Sequence, residues 1–304
     1  MSAPLLLHSL AEYEALLMRA FETVGARTFV EIGSETGAFT QRLLAYVAER
    51  DGTVTTVEPY PATEIAALAG EHEAFTLVEG LSPGALERVG AADAWIIDGD
   101  HNYWTVAREL DAALDRAEQA GRPSLLVLHD VGWPCARRDF YYAPDALPAE
   151  AVHPYTYTHG LVPDDEGVVD SGLRGEGVFA VAEREGGERN GVLTAVEDVM
   201  ARRGGLRLDV LPPVYGVGML YPIDAPWAGE LHALLAPYAE LDLMKRLEDN
   251  RMRLYLRVLE LQDAMSRADG ARNRMLAGLD ERIARLEAEN AALRIEAARR
   301  REAA

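Results

Sequence analysis

The chain has 304 residues, a formal net charge of −20 and one cysteine, Cys135. Such a length buries a full core with room for an appendage. A single cysteine excludes an internal disulfide and a cysteine-built zinc site, and fits a reducing cytosol. No run of about eighteen apolar residues occurs, and Met1-Ser-Ala-Pro-Leu-Leu-Leu-His8 lacks the features of a secretion signal, so a cytoplasmic, membrane-free protein is expected. Residues 1–244 hold 16 basic and 39 acidic side chains, against 14 and 11 from Lys245 onward. So acidic a globular part argues against nucleic acid as substrate.

In chain order, Leu5, Leu6, Leu10, Tyr13, Leu16, Leu17, Ala20 and Phe21 recur at helical spacing and predict a helix over 5–24. Strands and helices then alternate. Strands are expected at 28–32, 53–58, 75–79, 94–98 and 124–130, with helices at 38–50, 61–70, 83–89 and 103–120. Apolar strands alternating with helices imply a parallel sheet covered on both faces. Residues 131–175 break the rhythm. They are rich in Pro, Tyr, Asp and Gly, and Trp133, Phe140, Tyr141, Tyr142, Tyr155 and Tyr157 suggest an ordered lid. A strand at 177–181, a helix at 192–203 and a last, antiparallel strand at 214–220 complete the pattern.

From Pro237 the character changes. Residues 240–302 contain no proline. Leu247, Leu254, Val258, Leu261 and Met265 fall on one heptad seam. Leu279, Ile283, Leu286, Asn290, Leu293 and Ala297 fall on another, with a stutter between them. The expectation is a C-terminal helical tail that joins copies of the chain as a coiled coil; a long solvated helix is the plainer alternative. The organisation read this way is an N-terminal helix (1–24), an α/β domain (25–236) with 131–175 as a lid, and the tail (237–304).

The chemistry is concentrated at strand ends. Thr28-Phe-Val-Glu-Ile-Gly-Ser-Glu-Thr-Gly37 reads as strand, glycine turn, helix, and Gly33 and Gly37 let backbone approach a ligand. The second strand ends at Glu58, where an acid can accept both hydroxyls of a ribose. The turn is E-x-G-x-x-x-G, not G-x-G-x-x-G, and Glu31 and Glu35 would repel a diphosphate while suiting a cation. This resembles the first motif of the class I S-adenosylmethionine-dependent methyltransferases. The resemblance implies a Rossmann-like, doubly wound, mostly parallel seven-stranded sheet, with S-adenosylmethionine as cofactor held by Glu31, Gly33, Gly37 and Glu58.

The fourth strand ends in Asp98-Gly-Asp100-His101 and the fifth in His129-Asp130. In a doubly wound sheet these tips face the cofactor's crevice. Hard ligands there suit Mg²⁺ or a similar ion, and His101 is placed to act as general base. D-G-x-H followed by an acidic pair resembles the metal-dependent O-methyltransferases of macrolide sugars and their cephalosporin-pathway relatives, over residues 25–222. That resemblance implies Asp98 and Asp130 as metal ligands, His101 as base, and Gly80 and Ser82 beside the adenine. Where those metal-binding forms carry Glu-Asp, this chain has His129-Asp130, so His129 reads as a supporting residue before a ligand. Asp98 stays open between metal ligand and cofactor contact, and Asp100 reads as a helix cap. Arg137-Arg138-Asp139 either grips an anionic substrate or forms an internal ion pair.

The function expected is O-methylation of a small-molecule hydroxyl, on a sugar or glycosylated natural product. The alternatives are a nucleotide-dependent oxidoreductase or sugar-modifying enzyme, and a non-catalytic assembly protein carried by the tail.

Overall fold

The computed structural model describes residues 6–302. A 3-10 turn, Leu10–Tyr13, leads into α1 (Glu14–Val24). The expected helix at 5–24 is therefore shorter: Ser9 stands extended and its hydroxyl accepts the Ala11 amide, which starts the turn only there. Leu5 lies outside the described residues. The βα units follow: β1 (Thr28–Ile32), α2 (Ala38–Ala48), β2 (Thr53–Glu58), α3 (Thr63–Glu71), β3 (Phe75–Glu79), a 3-10 turn (Gly84–Arg88), β4 (Ala94–Ile97), α4 (Tyr103–Ala120) and β5 (Leu125–Leu128). The chain then builds β6 (Phe140–Tyr141), β7 (Tyr155–Thr156) and β8 (Ala180–Ala182), and finishes with α5 (Val192–Arg203), β9 (Leu206–Leu211), β10 (Val217–Pro222), α6 (Ala228–Ala239) and α7 (Asp242–Glu302).

The main sheet has the order β3-β2-β1-β4-β5-β10-β9. Its first five strands are parallel; β10 runs antiparallel to both β5 and β9. Alternation along each strand sorts the side chains into two apolar layers. Phe29, Val54, Phe75, Ile96, Val127 and Met219 pack on one side with α1, α2, α3 and α6. Val30, Ile32, Val57, Trp95, Ile97 and Leu128 pack on the other with α4 and α5. Strand order reverses between β1 and β4, so the crevice over their carboxyl ends is the place where such sheets hold ligands.

Two expectations need correction. β9 escaped the sequence reading, although Leu206-Arg-Leu-Asp-Val-Leu211 alternates apolar and polar residues as a half-buried strand does, because it follows so closely on a helix that ends only at Arg203. Its role as the outer strand is fixed by pairing with β10. The strand expected at 177–181 begins at Ala180, since Val178 N–H turns back onto the Gly175 carbonyl. The 131–175 segment supplies β6 and β7, which flank β8 in a small antiparallel sheet. Arg138 anchors it: the side chain is buried and donates to the carbonyls of Ala182, Glu166 and Gly167.

One compact unit ends at Tyr255 and a second begins at Leu256. The second is the helical remainder of α7, exposed along nearly its whole length. Among the described residues no helix is long and apolar enough to cross a membrane.

Candidate active site

The glycine turn is dictated by close packing. Gly33 has φ +81°, and a Cβ there would stand 2.2 Å from the Asp98 carbonyl oxygen. Only glycine lets β1 and β4 leave the sheet this close together. Gly37, φ +80°, starts α2. Behind the turn lies Glu31, buried, its carboxylate accepting from the Thr40 hydroxyl at 2.7 Å and the Thr56 hydroxyl at 2.8 Å. Burial pushes its pKa to about 7, although both hydroxyls pull the other way. Glu58 at the tip of β2 accepts from the backbone N–H of Ser34 at 3.0 Å, its hydroxyl at 3.1 Å, and the Tyr60 N–H at 3.2 Å. A narrow cleft of about 40 Å³ opens here, lined by Glu31, Gly33, Glu35, Phe39 and Asp98, with Ser9 and Leu10 against it. Three carboxylates around a glycine cradle fit a compact cation.

The second cluster sits at the ends of β4 and β5. His129 Nε2 donates to the Val214 carbonyl at 2.9 Å, and its Nδ1 lies 3.1 Å from Asp98 Oδ1. His101 Nδ1 lies 3.2 Å from Asp130 Oδ2, and its Nε2 lies 3.5 Å from Asp98 Oδ1. Two carboxylates and two imidazoles thus interleave. Burial alone would strip the rings of protons. The Asp130 and Asp98 charges outweigh it and lift His101 to about 9; Asp98 and Asp130 lift His129 to about 10. Burial likewise opposes the charged form of Asp98, but His129 and His101 hold its pKa well below the usual carboxylate range. At neutral pH both rings are imidazolium and the quartet is close to neutral.

Backbone strain marks this place. Asp130, Val214 and Tyr215 all have positive φ, at +58°, +52° and +64°. For the β-branched Val214 this is far from its preferred conformations. The 214–216 segment is held over β5 by Gly132 N–H on the Tyr215 carbonyl and Val131 N–H on the Gly216 carbonyl. That clamp presents the Val214 carbonyl to His129.

The donor set can be tested against a divalent ion. Asp98, His129 and Asp130 place one ligand atom each within 4.8 Å of one another. His129 Nε2–H is committed to a backbone carbonyl, which leaves Nδ1 turned toward the carboxylates, the usual arrangement of a ligating histidine. Two oxygens and one nitrogen fit a divalent cation; the nitrogen makes the set softer than the all-oxygen shell Mg²⁺ prefers.

Two of the readings at these strand ends and in the lid resolve as structural. Asp100 is not the cap of α4. Asn102 caps it, accepting the Thr105 N–H at 2.9 Å, and Asp100 accepts from the Asn102 amide and from the Tyr142 N–H. Arg137 pairs with Glu197, and Asp139 is buried, accepting from the Tyr103 and Gly191 amides. The Arg137-Arg138-Asp139 stretch is therefore internal scaffolding. His153 contacts the Arg189 carbonyl, and His159 sits among Thr156, Thr158 and Asp170. Ser82 follows Gly80 (φ +145°) and is buried with no hydrogen-bond partner for its hydroxyl among the described residues.

One residue was not singled out from sequence. Glu109, on α4, is fully buried, and neither carboxylate oxygen has a geometrically sound partner among the described residues. Burial lifts it to about 7, with Ser82 nearby as the main opposing influence. It lies three residues past Val106 and four before Ala113 on the buried face of α4. Tyr142 places its ring 6.1 Å from that of His101 and 6.0 Å from Phe179, half-exposed at the mouth of the cluster.

Residues 30–131 match a family described as a methyltransferase domain. No curated protein matches the chain. Among solved structures, an O-methyltransferase of Bacillus cereus in complex with S-adenosylhomocysteine is similar at 15% identity and TM-score 0.42, over 72% of this chain and 84% of that one. An O-methyltransferase of Streptomyces achromogenes involved in tomaymycin synthesis, in complex with S-adenosylmethionine, is similar at 14% identity and TM-score 0.42, over 71% and 82%. A methyltransferase of Podospora anserina bound to S-adenosylhomocysteine is similar at 16% and 0.41, over 68% and 76%. Likeness at this level carries no functional weight. The family match begins within β1 and ends just past β5, so the stretch that matches a methyltransferase domain holds the glycine turn and both strand-end clusters.

Proposed function

We propose that the chain methylates a hydroxyl of a small molecule, on a sugar or glycosylated natural product, with His101 as the base. The observation that carries this reading is the carboxylate–imidazole quartet, one β-strand away from an acid-lined glycine cleft. S-adenosylmethionine supplies a methyl group activated on a sulfonium. Glu58 takes the ribose hydroxyls in place of its present bonds to Ser34, and Gly33 and Gly37 admit the cofactor backbone-close. Glu31 and Asp98 face its cationic end, and Gly80 and Ser82 line the adenine. Ser9 and Leu10 line the same cleft, so binding shifts the N-terminal turn.

His101 Nε2 is buried, with Asp98 Oδ1 at 3.5 Å and no hydrogen bond of sound geometry among the described residues. It is the ring atom available to the acceptor hydroxyl. Held at about 9, the ring is protonated at neutral pH, so the base forms as pH rises or when another cation takes over the carboxylates. A Mg²⁺ or similar ion, if used, would be held by Asp98 and Asp130 with His129 Nδ1, and would lower the pKa of the acceptor hydroxyl. Tyr142 and the segment at 131–175 cover the acceptor side and exclude water. In-line alignment of oxygen and methyl carbon supplies much of the acceleration. The chain acts as a homo-oligomer through its tail, in the cytoplasm.

The test is calorimetry with S-adenosylmethionine, followed by mass spectrometry of hydroxylated acceptors incubated with labelled methyl donor. Saturable binding and label on oxygen are expected. Absence of cofactor binding by the intact chain would end this reading.

A further inference from the structure

We infer that the tail pairs as a parallel, in-register, two-stranded coiled coil with a second copy of this chain. The inference rests on the homo-oligomer reading above and makes it specific.

From Leu276 the helix repeats cleanly. Leu276, Ile283, Asn290 and Ala297 fall on one row (a) and Leu279, Leu286 and Leu293 on the adjoining row (d). The five apolar residues other than Ala297 are 45–62% exposed in the single chain. A helix in water does not keep such a stripe unpartnered.

The polar residues beside the stripe select the partner. Rows flanking a and d meet across a parallel dimer, each g residue facing the e residue five positions later on the other strand. Arg282 then meets Glu287, Glu289 meets Arg294, and Glu296 meets Arg301. All three pairs are of opposite sign, and each occurs twice by symmetry. Arg282, Glu287, Glu289 and Arg294 make no ion pair in the single chain among the described residues, whereas Glu296 is shared with Arg300. A second copy in the same register is thus complementary to this chain's own charges.

Asn290 decides direction. In a parallel, in-register pair it faces its own copy and the two amides bond to each other. In an antiparallel pair a faces d, and its amide would be buried against leucine without a partner. Ile283 at a with Leu286 and Leu293 at d favours two strands over three. Upstream of the stutter the flanking charges are not complementary: Arg257 would meet Gln262 and Ala264 would meet Asp269. Specificity is therefore written in the last four heptads.

The experiment uses the full chain. Light scattering on wild type is expected to give twice the chain mass of 33.3 kDa. A monomer at micromolar concentration overturns both the oligomer and the parallel pairing. Leu293→Cys, oxidised gently, is expected to cross-link the two copies, since d residues of an in-register parallel pair are adjacent; Cys135 is buried and does not compete. A dimer in which this cysteine stays free overturns the parallel pairing and leaves the oligomer standing. Glu289→Lys is expected to weaken the dimer several-fold, and Glu289→Lys with Arg294→Glu to restore it. A double variant no tighter than the single one overturns the register. Unchanged cofactor binding in each variant shows that the methyltransferase domain is folded.

Discussion

Two sets of buried acids meet opposite fates in this molecule. Glu31 and Glu109 have hydroxyls at most for company, and burial raises both to about 7. Asp98 is also buried, yet His129 and His101 drive it the other way. Desolvation is common to all three, so the partner decides the charge state. For the first two, burial outweighs every opposing influence. The second set stores its charge in a neutral quartet, whose imidazoles hold the proton that a base must first release.

The largest expected effect comes from removing one cation of the quartet. His101→Ala is expected to lower turnover by about 10² to 10⁴-fold, with cofactor affinity by calorimetry changing far less. Turnover retained in that variant would assign the proton transfer elsewhere. The pH profile sharpens the same point. With His101 at about 9 in the free protein, kcat/KM is expected to rise with pH toward that value and then level. Mg²⁺ at saturating concentration should shift this limb to lower pH if Asp98 and Asp130 hold it; an unmoved limb speaks against a metal there.

Next in size is Glu58→Ala. Loss of a charged acceptor for two ribose hydroxyls is expected to weaken cofactor binding by roughly 10-fold or more, at about 1.5–3 kcal/mol per charged hydrogen bond less what water returns. Unchanged affinity would remove Glu58 from the cofactor site.

Glu109→Gln tests the unpaired acid. Its folded pKa is raised, so its ionised form opposes folding. The cost appears as pH rises above about 4.5 and is complete above about 7. Glutamine is expected to stabilise the chain at pH 8 by on the order of 2 kcal/mol and to flatten the melting temperature between pH 4.5 and 7. A melt unaffected at pH 8 would mean the acid is solvated or paired. The smallest effect is the slope at higher pH. His101 and His129 have raised folded pKa values, so their stabilisation is complete below about 6.5 and fades as pH rises through 9 to 10. The melting temperature of wild type should fall through that window, and less so in His101→Ala.

Much of this was legible from the chain. Strands one to five announced themselves as apolar runs, and Gly33, Glu58, Asp98 and Asp130 marked their tips. Where reading failed, local pattern competed with distant pairing. β9 is a strand because β10 lies beside it, and Asp100 lost the capping position because Asn102, two residues nearer, reaches the Thr105 N–H. Glu109 looked like an ordinary helical acid, since nothing in Val106-Ala-Arg-Glu-Leu110 says that its face is sealed.

The sequence alone determined the alternation of strands and helices, the glycine turn and the heptad rows, because each is a local periodicity or a backbone requirement. Only the tertiary structure decided which acids carry charge. Protonation depends on what stands within a few ångströms, and His101 and Asp130, or His129 and Val214, are brought that close by strand order and by the strained segment at 214–216, neither of which is written in any one stretch of residues.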